Sequence, residues 1–224
     1  MTNCDLALIG ARLIDAKGMY IVPGFVCMHA HGGGGHDFTE CTEEAFRSII
    51  NAHLGHGATS FYPTISSSPF EKLHQAAQVC EQLMAEPDSP VLGLHIEGPY
   101  LNKKMAGEQF ADQVKEIDGQ EYRELVESTR CIRRWDASPE LPGALEFASY
   151  LREKGILAAV SHTEAEYDGI RAAYEAGLPM PPNFYNAMPA STNAASTSTK
   201  ATVESALPDR RHDHRRHRRR MDPL

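Results

Sequence analysis

The 224-residue sequence contains no apolar run long enough to cross a membrane. Its start, MTNCDLALIGARLIDAKG, also lacks the basic opening and apolar core of a secretory leader. These absences set the expectation of a cytoplasmic protein with no membrane partner. Cysteine is sparse: Cys4, Cys27, Cys41, Cys80 and Cys131 show no CxxC spacing and no dense framework. An odd, scattered set suits a reducing cytosol better than secretion. An excess of positive charge is missing too. The 22 Lys and Arg against 30 Asp and Glu leave a net charge of −8, which argues against nucleic-acid binding by the chain as a whole.

The hydrophobic share of 42% is enough for one sizeable core. Between Ile21 and Gly177, short apolar runs alternate with amphipathic stretches. FVCMHAH (25–31), TSFYPTI (59–65), VLGLHIEG (91–98), CIRRWDASPE (131–140, running into a loop) and ILAAVSHT (156–163) read as strands. The stretches 43–57, 68–86, 118–130, 142–155 and 164–177 read as helices. Ser68, with Glu71 three residues on, makes a plausible N-cap for the second. Repeated strand–helix units imply a parallel sheet, and five of them suit part of a (β/α)8 barrel. After Gly177 the pattern stops. ASTNAASTSTKATVESA (190–206) has almost no apolar periodicity, and PDRRHDHRRHRRR (208–220) cannot supply a core face.

Several residues at strand ends can carry chemistry. His29 and His31, two apart on the first strand, point to one face at its carboxyl end, the active-site end of a barrel. They read either as a divalent-metal pair or as two histidines beside the Gly-rich turn HGGGGHDF. Glu97, in HIEGPY, ends the third strand, where a carboxylate needs a partner, water or a metal. It reads equally as a salt-bridged or capping glutamate. His162, in AAVSHT, ends the fifth strand and taken alone reads as a hydrogen-bonded core histidine. Three such positions at three strand ends favour a site. His95 can share the face of Glu97 and support it from behind. His53, His56 and His74 fall on helices and read as surface residues, and His36 is ambiguous.

The motifs VPGFVCMHAHGGGG, GLHIEGPYLN, WDASPE, VSHTEAEYDGI and FYNAMP occur in this order over about residues 20–189. Together they resemble the N-acetylglucosamine-6-phosphate deacetylase family of the amidohydrolase superfamily. The resemblance implies an α/β fold, an incomplete (β/α)8 TIM-type barrel with a remnant of a small β-sandwich. Residues 1–20 would be that remnant, 21–189 the partial barrel, and 190–224 a disordered tail. It further implies release of acetate from N-acetylglucosamine 6-phosphate by a metal-activated water. Glu97 and His162 match family metal ligands, and His29 and His31 match the HxH pair of members with a second metal. Asn186 and Ala187 match the sugar-phosphate loop, and Gln109 falls near a substrate-holding position. The implied cofactor is a divalent metal, zinc first and iron, manganese or cobalt as alternatives. The implied partner is an amino-sugar phosphate in a homo-oligomer. The other readings are an amidohydrolase acting on a cyclic amide and a nucleic-acid binder working through the Arg-rich tail.

The sequence also departs from the family. Asn183, in PMPPN (179–183), stands where a second His ligand occurs, and Cys27 stands where the first strand has Asp. The catalytic Asp of the last barrel strands has no counterpart, so the chain is expected to be inactive as written. Codons for Thr-His-Ala-Thr read one base out of frame give Pro-Met-Pro-Pro. The hypothesis is that 179–183, 191–201 and 206–224 are out-of-frame translation, which would make His212, His214, His217 and the surrounding arginines an artefact. Resequencing the source DNA tests this. Clean reads that reproduce these codons contradict a sequencing error and leave a pseudogene.

Overall fold

A computed structural model describes residues 15–178 and 187–188. Asn183, Asn186, the remaining tail and most of the expected β-sandwich remnant lie outside the described residues. The strands are β1 (Phe25–Ala30), β2 (Gly32–Gly33), β3 (His36–Asp37), β4 (Ala58–Ser66), β5 (Leu94–Glu97), β6 (Ile132–Ala137) and β7 (Leu157–Val160). The helices are α1 (Glu43–Leu54), α2 (Phe70–Met84), α3 (Gly119–Ser128), α4 (Ala144–Glu153) and α5 (Tyr167–Ala176). Five strands form one parallel sheet in the order β1-β4-β5-β6-β7, each beside its neighbour in the order of the units. This is the expected incomplete (β/α)8 TIM-type barrel: a curled parallel sheet with every carboxyl end on one rim.

The helices form on apolar stripes, and α1 and α3 also begin with a side-chain cap. In α1, Thr42 accepts a bond from the Ala45 amide at 3.2 Å, and Ala45, Phe46, Ile49 and Ile50 make the buried stripe. In α2 the stripe is Leu73, Ala76, Ala77, Cys80 and Leu83. The cap expected from Ser68 and Glu71 is not there. The helix starts one residue later behind Pro69, which makes no side-chain cap bond. Proline lacks the N–H that a helix start leaves unpaired and already holds a compatible φ, so it displaces the serine.

Four of the five expected strands are shorter than the apolar runs suggest, while β4 is longer by one residue at each end. The run 91–98 contributes pairing only at Leu94–Glu97 and one isolated bridge from Val91 to Phe61. The β2–β3 hairpin was not anticipated. Gly34 and Gly35 turn it with φ of +59° and +86°, a region that glycine enters without a Cβ penalty.

The core is densest under β6. Trp135 is fully buried and stacks on Tyr100 with ring centroids 5.9 Å apart, while Phe147 meets its edge at 5.3 Å. Its indole N–H donates to the Gly98 carbonyl at 2.7 Å, tying the loop after β5 to the neighbouring strand. Among the described residues, the β1 edge of the sheet is uncovered. Phe25, Val26 and Met28 of β1 are exposed, as are Met19, Tyr20, Ile21 and Val22 leading into it.

Candidate metal centre

Four of the sequence-nominated residues come together on the carboxyl rim. His29 lies in β1, and His31 lies one residue past its end on the same face. Glu97 is the last residue of β5, and His162 follows β7 by two residues. Nε2 of His31 stands 2.9 Å from Glu97 Oε2, and Nε2 of His29 stands 3.4 Å from the same atom. Nε2 of His162 is 3.3 Å from Glu97 Oε1. The two Nε2 atoms of His29 and His31 are 3.0 Å apart. Among the described residues, His29, His31 and Glu97 form a set whose ligand atoms all lie within 4.8 Å of one another.

This donor set suits a divalent cation. Imidazole nitrogens with one carboxylate are ligands that zinc and its neighbours accept. Ligand bonds of about 2.0–2.1 Å in a tetrahedron give ligand–ligand edges of about 3.3 Å. The observed separations of 2.9 to 3.4 Å match that spacing. Two unprotonated ring nitrogens facing each other at 3.0 Å are repulsive without a proton or a cation between them.

The electrostatics favour charge on the carboxylate. Burial alone would raise Glu97, but hydrogen bonds from His162, His29 and His31 outweigh it and hold the group far below the usual carboxylate range. Burial also opposes charge on His31 and His162. The hydrogen bond and charge of Glu97 overcome it in both, leaving them above the ordinary imidazole value. Nδ1–H of His162 donates to the Met105 carbonyl at 2.8 Å, so Nε2 faces Glu97: it donates to the carboxylate when the ring is protonated and carries the lone pair when the ring is neutral.

The surroundings hold these groups in place. Gln109 donates from Nε2 to Glu97 Oε2 at 2.9 Å and accepts from the Ser67 amide at 2.8 Å. The amide nominated for substrate therefore spends both its ends inside the protein. Ser66 Oγ lies 2.9 Å from His31 Nδ1. Thr64 Oγ1 accepts from the Ala30 amide at 3.1 Å and lies 3.0 Å from His95 Nδ1. His95 is fully buried, with Nε2 2.9 Å from Asp136 Oδ2 and its ring edge-on to His29 at 4.9 Å. Burial drives its pKa down despite the nearby carboxylate. It does back the site as its position beside Glu97 suggested. Asp136 and its partner Arg134, at 3.1 Å, were missed. The available signal was three charged residues, Arg133, Arg134 and Asp136, within one six-residue strand.

The remaining nominees are dispersed. Ala187 has a left-handed φ of +51°, and Asn186 lies outside the described residues. His36 pairs with Glu40 at 3.1 Å, and His56 bonds the Ala52 carbonyl at 2.8 Å. His74 lies 3.3 Å from Ser128 Oγ. His53, expected on the surface, is half-buried, because its Nε2–H reaches the Gly32 carbonyl at 3.2 Å beneath the glycine hairpin.

Comparison with known proteins gives a consistent picture. A model of the Amidohydrolase family matches residues 20–201. An N-acetylglucosamine-6-phosphate deacetylase of Haemophilus influenzae is 29% identical over 180 residues, covering 80% of this chain and 47% of its own. An N-acetylgalactosamine-6-phosphate deacetylase of Escherichia coli O157:H7 is 27% identical over 206 residues, covering 87% and 54%. A solved structure of a mutant N-acetyl-D-glucosamine-6-phosphate deacetylase from Mycobacterium smegmatis, in complex with N-acetyl-D-glucosamine-6-phosphate, superposes with a TM-score of 0.74. That match has 30% identity and covers 82% of this chain and 47% of that one. The chain spans about half the length of the curated relatives it matches.

Proposed function

The chain belongs to the amidohydrolase family, and from that premise we propose that its rim cluster binds a divalent cation for hydrolysis of the acetamide of an amino-sugar phosphate. N-Acetylglucosamine 6-phosphate is the leading substrate, giving glucosamine 6-phosphate and acetate. The observation that carries this reading is the approach of three imidazoles, from the ends of β1 and β7, to one buried carboxylate at the end of β5. His29, His31, Glu97 and His162 are the ligands in this reading, with zinc first and iron, manganese or cobalt as alternatives. The cation, when bound, lowers the pKa of water and polarises the acetamide carbonyl.

The chain's own residues orient and exclude. Gln109 fixes one oxygen of Glu97. Met105 fixes the ring of His162 so that its Nε2 faces inward. Asn186 and Ala187 contribute the sugar-phosphate loop.

Acetate release in the presence of zinc, with a parallel zinc titration, tests the reading. Stoichiometric zinc binding with acetate release that His162→Ala abolishes supports it. A chain that binds no zinc contradicts the metal centre. The E. coli relative motivates a second substrate, the C4 epimer N-acetylgalactosamine 6-phosphate, which the same assay compares directly.

A further inference from the structure

His162 is not a relaxed residue. Its φ of +46° lies in the left-handed region, where a side chain with a Cβ is disfavoured and where surroundings must hold it. The turn after β6 supplies that hold from both sides. Ser138 is fully buried, and its single hydroxyl proton lies between the carbonyls of Ser161 at 3.0 Å and His162 at 2.7 Å. On the other side of His162, the Glu140 carboxylate accepts from Thr163 Oγ1 and from the Glu164 amide at 2.9 Å. Asn102, from the loop after β5, closes the arrangement. Its amide donates to Ser138 Oγ at 2.7 Å and to the His162 carbonyl at 3.2 Å, and its Nδ2 donates to Glu140 at 2.8 Å. Three residues on, Met105 receives the ring N–H of His162.

We propose that Ser138 and Glu140 are positioning residues that lock the His162 backbone in its left-handed conformation and so aim Nε2 at Glu97. The inference rests on the metal reading above for its effect on affinity, but not for the lock itself. Ser138 acts through the carbonyls of the two peptide groups that flank His162, and Glu140 acts one residue further on, through the Thr163 hydroxyl and the Glu164 amide. Partners that orient a metal-bound histidine commonly alter metal affinity when removed, and here the orientation comes through the backbone.

The test uses the full chain with cobalt(II) as the probe, and nitrogen-15 NMR of the metal-free protein to read the His162 ring. Ser138→Ala and Glu140→Gln are each expected to raise the cobalt dissociation constant about 10–100-fold. At a pH where the ring is neutral, both are also expected to move His162 from a pure Nδ1–H tautomer to a mixture, with unchanged far-ultraviolet circular dichroism. Glu140 is exposed, so Glu140→Gln carries the test if the buried Ser138→Ala fails to fold. Wild-type affinity and an unmoved ring in Glu140→Gln overturn the proposal while leaving the metal centre standing. If the wild type binds no cobalt but the ring shifts in the variant, the metal reading falls and the lock stands. If neither is seen, both fall.

Discussion

The two sides of the sheet hold their shares of the rim cluster in opposite ways. Glu97 and His162 come from β5 and β7, which flank the buried β6 with its Trp135, Tyr100 and Phe147 packing. His29 and His31 come from β1, an edge strand like β7 but one whose Phe25, Val26 and Met28 are in the open while β7 is mostly buried. The side chains show the same contrast: Glu97 and His162 are 1% and 5% exposed, His29 and His31 are 21% and 36%. On the buried side, position is over-determined by peptide bonds and rings. On the open side it rests on Thr64, which anchors the Ala30 amide, and Ser66, beside the ring of His31. The difference teaches that a shared site can draw rigidity from one half of a sheet and leave its other half adjustable.

The largest way to break the comparison is to hollow the buried side. Trp135→Ala should destabilise the protein by about 3–5 kcal/mol in urea unfolding, through the cavity and the lost bond to Gly98. A loss under about 1 kcal/mol would mean that the β6 side is no better packed than the edge. Next in size, Glu97→Gln should weaken zinc affinity by more than about 100-fold, exceeding the effect of removing an outer partner. It removes the charge that all three imidazoles face. Calorimetric titration reads this, and an unchanged dissociation constant would show that the carboxylate is structural.

A third effect concerns pH and sharpens the contrast with His95. His31 and His162 have folded pKa values above the ordinary 6.5, so they stabilise the metal-free protein fully below 6.5. That contribution is lost as pH rises through their folded values. His95 is shifted the other way and costs stability only as pH falls below 6.5. In the window upward from pH 6.5, the melting temperature of the metal-free protein should therefore fall, while excess zinc, which needs neutral imidazole, should reverse the trend. A metal-free melting temperature that climbs through the same window would contradict the assigned charge states. The smallest effect belongs to the edge: Phe25→Ser should change stability by less than about 0.5 kcal/mol, since its ring is 71% exposed. A larger loss in urea unfolding would show that the edge is covered in solution.

The sequence made the cluster legible because strand alternation fixes which residues share a face and where a parallel strand's carboxyl end lies. That was enough to place His29, His31, Glu97 and His162 on one rim. It did not reveal the Ser138 and Glu140 lock. Serine and glutamate in a turn look alike whether they face water or a backbone carbonyl, and a left-handed φ on histidine leaves no mark in the residue order. The Pro69 start of α2 escaped for a related reason: a serine and a glutamate at capping spacing outweighed the proline between them. Asp136 and Arg134 were visible as charges in a short strand, but their pairing with His95 crosses two strands and needs the sheet register to be seen.

The most direct test of the rim cluster is the coordination of zinc added to the full chain and examined by X-ray absorption. The account predicts one tightly bound zinc with a nitrogen and oxygen shell at about 2.0–2.1 Å that includes histidine scattering, and loses part of that scattering in His162→Ala. A sulfur-containing shell, or no bound zinc after equilibration at neutral pH, would contradict it.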